Sequence, residues 1–189
     1  MTQRKIRFSN LCNLGCKTCG SPLSSTLANW RADKNELRFL KDKNVLSDRG
    51  TITSFVYARP DFLDVDVFPY IKDVRGFYFA GGEPMVTPEH YQLLELLIAN
   101  NLTNVSLSYN TNLTRLSHKH WNVLDLWEKF NPDRISLRPS LDSWGTRAEY
   151  LRTGTVWSDI EDNITTLMRS DRKVINHLRP SITITAWNI

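Results

Sequence analysis

An α/β fold, a parallel sheet or barrel with helices outside it, is predicted by three features of the sequence. Short β-branched or aromatic runs alternate with longer amphipathic ones, the order that places helices against parallel strands. From Arg75 onward the strand-like runs start about thirty residues apart at first, the length of one βα unit, with a longer last interval. A chain of 189 residues with 41% hydrophobic and 11% aromatic content is also large enough for one domain with a sizeable core.

Lys5 to Ser9 alternates like a strand and runs into a cysteine loop, after which Ser21 to Trp30 is a candidate helix start. Asp33 to Asp73 fits the scheme least well and reads as one or two helices plus an insertion, with Pro60 and Pro69 as breakers. Arg75 to Ala80 reads as a buried strand stopping at Gly81-Gly82. Pro88 suits a first helical position, with Thr87 as cap and Leu93, Leu94, Leu97 and Ile98 as the apolar stripe. Val105 to Tyr109 is the next strand, ending in Asn110-Thr111-Asn112. A helix is expected over about His118 to Phe130, bearing Trp121, Leu124 and Trp127. Arg134 to Leu141 repeats the strand, Trp157 to Met168 the helix, and Ser181 to Trp187 supplies a final strand.

The 24 Lys plus Arg against 20 Asp plus Glu give a net charge of +4, scattered rather than gathered into a run, which is poor support for nucleic-acid binding. No stretch has the roughly 20 apolar residues of a membrane span, and Met1 to Arg7 lacks the apolar core of a secretion signal. A cytoplasmic protein with no membrane partner is the expectation. The only three cysteines lie within eight positions, an odd and tight cluster that suits a thiolate metal site better than a disulfide framework.

Cys12-Asn13-Leu14-Gly15-Cys16-Lys17-Thr18-Cys19 places three thiols in one loop, with Gly15 expected to let the backbone turn between the first two. A [4Fe-4S] cluster takes four ligands, so three cysteines leave one iron open. The alternative is structural zinc, with a fourth ligand from His90, His118, His120, His177 or a carboxylate. Further along, the paired glycines of Gly81-Gly82-Glu83-Pro84 let backbone approach a ligand, and Glu83 can accept hydrogen bonds from an ammonium group.

The Cys-x-x-x-Cys-x-x-Cys loop after a first strand resembles the signature of the radical S-adenosylmethionine (SAM) superfamily, and Gly81 to Pro84 resembles that family's GGEP motif. The likeness runs from about Arg4 to Ile189 and is nearest to the twitch- and SPASM-type members, which have a run like Phe8 to Leu14 before the loop. It implies a [4Fe-4S] cluster on Cys12, Cys16 and Cys19 whose free iron binds the amino and carboxylate groups of SAM, with the amine near Glu83. Asn110-Thr111-Asn112 resembles the family's Thr-Asn segment near the SAM ribose, with Asn110 and Asn112 as its candidate contacts, though a strand-ending turn also explains the run. Ser140-Leu141-Asp142-Ser143 with Arg152 resembles the run of the peptide-modifying branches; Ser140 and Arg152 suit the methionyl carboxylate, and Asp142 is a candidate ligand contact that could instead orient Arg152 or cap a turn. Asn188 is a candidate for the adenine or ribose. One departure is Thr18, where the family usually has a large or aromatic residue.

By the same resemblance, residues 1–189 are an incomplete core domain, a partial (βα)6 TIM-like barrel without the sixth strand or an auxiliary-cluster domain. The implied activity is reductive SAM cleavage for hydrogen abstraction, with a flavodoxin- or ferredoxin-type electron donor and a peptide or protein substrate. Two rivals remain open: a non-catalytic zinc-binding interaction module, and an inactive SAM-binding remnant.

Overall fold

The structure is a computed structural model that describes residues 3–33, 61, 63–169 and 174–189. Pro60 and most of the expected insertion lie outside the described residues. In chain order the elements are strands β1 (Gln3–Ile6) and β2 (Gly15–Cys16), helix α1 (Ser25–Asp33), β3 (Gly76–Phe79), α2 (Pro88–Ala99), β4 (Ser106–Thr111), β5 (Ser117–His118) and β6 (Trp121–Asn122). There follow α3 (Val123–Trp127), β7 (Ile135–Pro139), α4 (Gly145–Leu151), β8 (Arg152–Thr153), α5 (Trp157–Arg169) and β9 (His177–Leu178). A π-helical turn, Leu63–Val67, and a 3-10 helix, Phe68–Asp73, with Pro69 in its first turn, precede β3.

The α/β reading holds: β1, β3, β4, β7 and β9 form one sheet in that order, every pair parallel. β4 illustrates why. Its alternation of Ser106, Ser108 and Asn110 with Leu107, Tyr109 and Thr111 gives two unlike faces, and the second set is buried. With Phe77, Phe79, Ile135 and Leu137, that face packs under the helices, where Leu93, Leu94 and Leu97 of α2 and Trp127 of α3 are wholly buried. Each such leucine contributes roughly 1.5–3 kcal/mol of burial free energy. α2 begins at Pro88 after Thr87 as expected, but the Thr87 hydroxyl donates to the Glu83 carbonyl at 3.0 Å rather than capping the helix.

Two expected elements differ. Ser117 to Asn122 forms a β-hairpin, with Lys119 in the left-handed region at φ 54°, so the helix begins only at Val123, where the Asn122 side chain accepts from Leu124 N. Trp121 therefore leaves the helical stripe and stacks on Tyr91 at 5.3 Å. The last strand is His177–Leu178 beside β7, continued by a single bridge from Ser140 to Ser181; Ser181 to Trp187 is not a strand, and Ile182 and Ile184 are exposed.

Candidate functional site

The cysteine loop leaves β1 and is tied down on several sides. Thr26 Oγ1 donates to the Cys12 carbonyl at 2.7 Å, Ser24 Oγ donates to the Leu14 carbonyl at 2.7 Å, and Asn13 Nδ2 donates to Thr114 Oγ1 at 2.8 Å. The loop's centre is itself a strand. β2 pairs antiparallel with β8, setting Cys16 opposite Arg152, and Lys17 N donates to the Leu151 carbonyl at 2.8 Å. Gly15 is needed for a different reason from the expected turn: it lies within β2, and a Cβ there would run into the Trp30 ring. The glycines that need left-handed backbone are Gly81 (φ 81°) and Gly82 (φ 56°), and a Cβ on Gly82 would strike the Leu11 carbonyl.

That close approach brings the Gly-Gly turn against the cysteine loop, where Glu83 N donates to the Leu11 carbonyl at 2.7 Å. A cavity of about 220 Å³ opens between them at the carboxyl ends of β1, β3, β4 and β7. Of the sequence-predicted residues, Cys12, Cys16, Cys19, Gly81, Gly82, Glu83, Asn110, Asn112, Ser140 and Arg152 line it, and Thr18 does as well. Pro84, Asp142 and Asn188 do not. Pro84 opens the buried 3-10 turn Pro84–Val86. Asn188, expected at a strand end, instead sits in a terminal turn, where its Nδ2 donates to the carbonyls of Asp142 at 3.0 Å and Thr183 at 2.7 Å.

Glu83 is 1% exposed, and its carboxyl group already accepts from Met85 N (3.1 Å), Thr111 Oγ1 (2.7 Å) and Asn112 N (2.6 Å). Of about four lone-pair directions on a carboxylate, three are filled. Its main work is thus to lock the Gly-Gly turn to the end of β4, and room for a ligand's ammonium is at most one direction on Oε2. Burial pushes its pKa up to about 7, against the lowering effect of these donors and of Arg152. Thr111, named in the sequence only as the middle of the Asn110-Thr111-Asn112 run, was not expected to hold Glu83; its alternation with Tyr109 on the buried face was the available signal.

Asn112 turns back on itself, its Oδ1 accepting from Thr114 N and Thr114 Oγ1, while its Nδ2 donates to Asn13 Oδ1 at 2.9 Å and reaches Cys12 Sγ at 4.0 Å. Asn110 Oδ1 is buried in the cavity wall with no hydrogen-bond partner among the described residues. The orienting role weighed for Asp142 is the one observed: it pairs with Arg152 Nη2 at 2.9 Å and accepts from Thr183 N. Arg152 then offers Nη1 to Cys16 Sγ at 3.6 Å, and its Nε has no partner among the described residues.

Burial pushes the Cys12 thiol up to about 12 and raises Cys16, Arg152 opposing the latter shift. Binding a metal there releases protons. Among the described residues, no three Cys, His, Asp or Glu side chains already stand at coordinating distance. The donor set nonetheless fits an iron-sulfur cluster: three thiols face one cavity, beside a turn closed to any Cβ and an orphaned buried amide oxygen. None of the four histidines, all among the described residues, lines that cavity.

No protein-family model, curated protein or solved structure matches the chain. Among the described residues, no helix is long and apolar enough to cross a membrane.

Proposed function

We propose that the chain is the core of a radical SAM enzyme, its five-stranded parallel sheet part of a (βα)6 barrel. The observation that carries the reading is the convergence of Cys12, Cys16 and Cys19 with Gly81, Gly82, Asn110, Ser140 and Arg152 on one cavity at the strands' carboxyl ends. In open α/β sheets and barrels alike, that end is where ligands bind. When bound, the [4Fe-4S] cluster and SAM supply reductive cleavage to a 5′-deoxyadenosyl radical for hydrogen abstraction, with an electron from a flavodoxin- or ferredoxin-type donor.

The chain's own residues do the holding. Cys12, Cys16 and Cys19 are the cluster ligands. Gly81 and Gly82 keep the turn free of side chains, so that backbone carbonyls can accept from the ligand's ammonium, and Glu83 fixes that turn through Thr111 and Asn112. The Arg152 guanidinium, held by Asp142, keeps Nε for a carboxylate, with Ser140 beside it on the cavity wall. Asn110 supplies an amide to a hydroxyl-bearing part of the ligand. A peptide or protein is the substrate class, and the cytoplasm the compartment.

Anaerobic reconstitution with iron and sulfide, followed by absorbance and electron paramagnetic resonance, tests the cluster. A 5′-deoxyadenosine assay with dithionite, wild type against Cys16→Ala, tests the chemistry. We expect a brown protein that forms 5′-deoxyadenosine and a variant that does not. A colourless chain holding one zinc ion would sink the reading in favour of an interaction module. Cluster and SAM binding without product would assign the chain to the inactive remnants.

A further inference from the structure

Among the described residues, the helices whose side chains join the sheet's core, α2, α3 and α5, lie on its Phe79, Tyr109 and Leu137 face, and the other face has a consistent chemistry. Strand register puts Lys5, Tyr78, Ser108, Ser136 and His177 in one row across all five strands. Two residues nearer the carboxyl ends, Asn110 stands opposite Arg138, and the alternation beyond β1 puts Arg7 in the same row. The buried row between them, with Phe79, Tyr109 and Leu137, is 0% exposed, whereas Lys5, Arg7, Arg138 and His177 are exposed. None of Lys5, Arg7 and Arg138 has an ion-pair partner among the described residues, and neither row contains an acidic side chain.

This face is continuous with the thiol cavity. Asn110 belongs to both, and the Arg7 side chain lies against Gly81 of the cavity wall. We propose that this face is the bed for an acidic polypeptide segment, which lies across the strands with its carboxylates on Arg7 and Arg138 and presents a residue between them to the cavity. Resting on the cavity as the reaction site, the inference adds the charge and extended form of the substrate.

Spacing and composition select this occupant. Arg7 and Arg138 are three strand steps apart, about 14 Å at the usual inter-strand spacing. One phosphate or carboxylate cannot touch both cations, while an extended chain rising about 3.3 Å per residue spans them in about four residues. A single-stranded nucleic acid spans the gap too, but it wants a series of aromatic platforms. The two rows hold two rings, Tyr78 and His177, which stand three strand steps apart and so form no series, and Lys5 already sits over the first at 5.8 Å.

The test is fluorescence anisotropy of a labelled octaglutamate peptide titrated with the reconstituted chain at low salt, beside an oligothymidylate of matched charge. Wild type is compared with Arg138→Glu, Lys5→Glu and, on the opposite side of the molecule, Lys129→Glu, each checked for an unchanged thermal melt. Arg138→Glu and Lys5→Glu are expected to weaken peptide binding roughly tenfold each, with Lys129→Glu near wild type. The proposal is overturned if the peptide does not bind, if all three reversals weaken it alike, or if the oligothymidylate binds as tightly. A chain that takes up no cluster yet shows the expected peptide pattern would refute the enzyme reading and leave the docking face standing.

Discussion

Glu83 and His90 are buried titratable groups whose displaced pKa values have opposite consequences for stability. Burial raises Glu83 from 4.5 to about 7, so between those values the folded chain holds a proton that the unfolded chain has released, and stability falls as pH rises through that window. Burial lowers His90 from 6.5 to about 3, so there the unfolded chain binds the extra proton and stability falls as pH drops. The two slopes oppose each other from 4.5 to 6.5, and only Glu83 acts between 6.5 and 7. In Glu83→Gln the Glu83 component vanishes, so the stability gap to wild type should shift in the variant's favour by at most about 3 kcal/mol between pH 4.5 and 8. Urea melts at both pH values measure it, and a constant gap would refute the titrating carboxyl. Arg152 gives a second test at this scale. Arg152→Gln leaves Asp142, 5% exposed, without its cation, and breaking such a buried pair costs about 3 kcal/mol, visible as a lower urea midpoint at neutral pH.

Elements that carry a full period of pattern were legible in the sequence, and elements of two residues were not. β3, β4, β7 and α2 lie within a residue or two of where alternation, helical spacing and Pro88 put them. β5 and β6 escaped because Trp121, Leu124 and Trp127 fall three apart, which mimics a helical stripe, while the hairpin depends on Lys119 adopting a backbone it seldom favours. Ser181 to Trp187 has the β-branched composition of a strand, yet pairing is decided by partners, and β7 is met by His177 and Leu178 instead. The β2–β8 ladder joins residues 136 apart, a contact no local pattern encodes, and so Arg152 was placed on a ligand carboxylate with its approach to Cys16 unforeseen. The site's other hinge, the Gly-Gly turn, was read from the sequence as a backbone approach to a ligand, whereas the approach seen is to the Leu11 carbonyl of the cysteine loop. Gly82→Ala tests it: a side chain at φ 56° against the Leu11 carbonyl should cost about 1–3 kcal/mol in a thermal or urea melt. Asn122→Ala, which removes the side-chain oxygen that accepts from Leu124 N at the start of α3, should cost about 1 kcal/mol by the same measurement.

At the scale of the molecule, the cysteine loop is where separate parts of the chain are joined. It touches the β3 turn through Leu11 and Glu83, the end of β4 through Asn13 and Asn112, β8 through Cys16 and Arg152, and the start of α1 through Cys12 and Ser25. A group bound by its three thiols therefore stabilises contacts from four elements together, and binding free energy becomes folding free energy. A cluster that contributes about 3 kcal/mol should raise the melting temperature by roughly 6–12 °C, at about 2–4 °C per kcal/mol for a chain of this size. Cys19→Ala separates this from general damage. Cys19 is only half-buried, and its thiol's contact, to the adjacent Gly20 carbonyl, is at 3.7 Å. The metal-free melt of the variant should therefore match wild type, while the gain on anaerobic reconstitution disappears. Differential scanning fluorimetry before and after reconstitution reads both quantities, and a variant that keeps the full gain would mean that Cys19 is not a ligand.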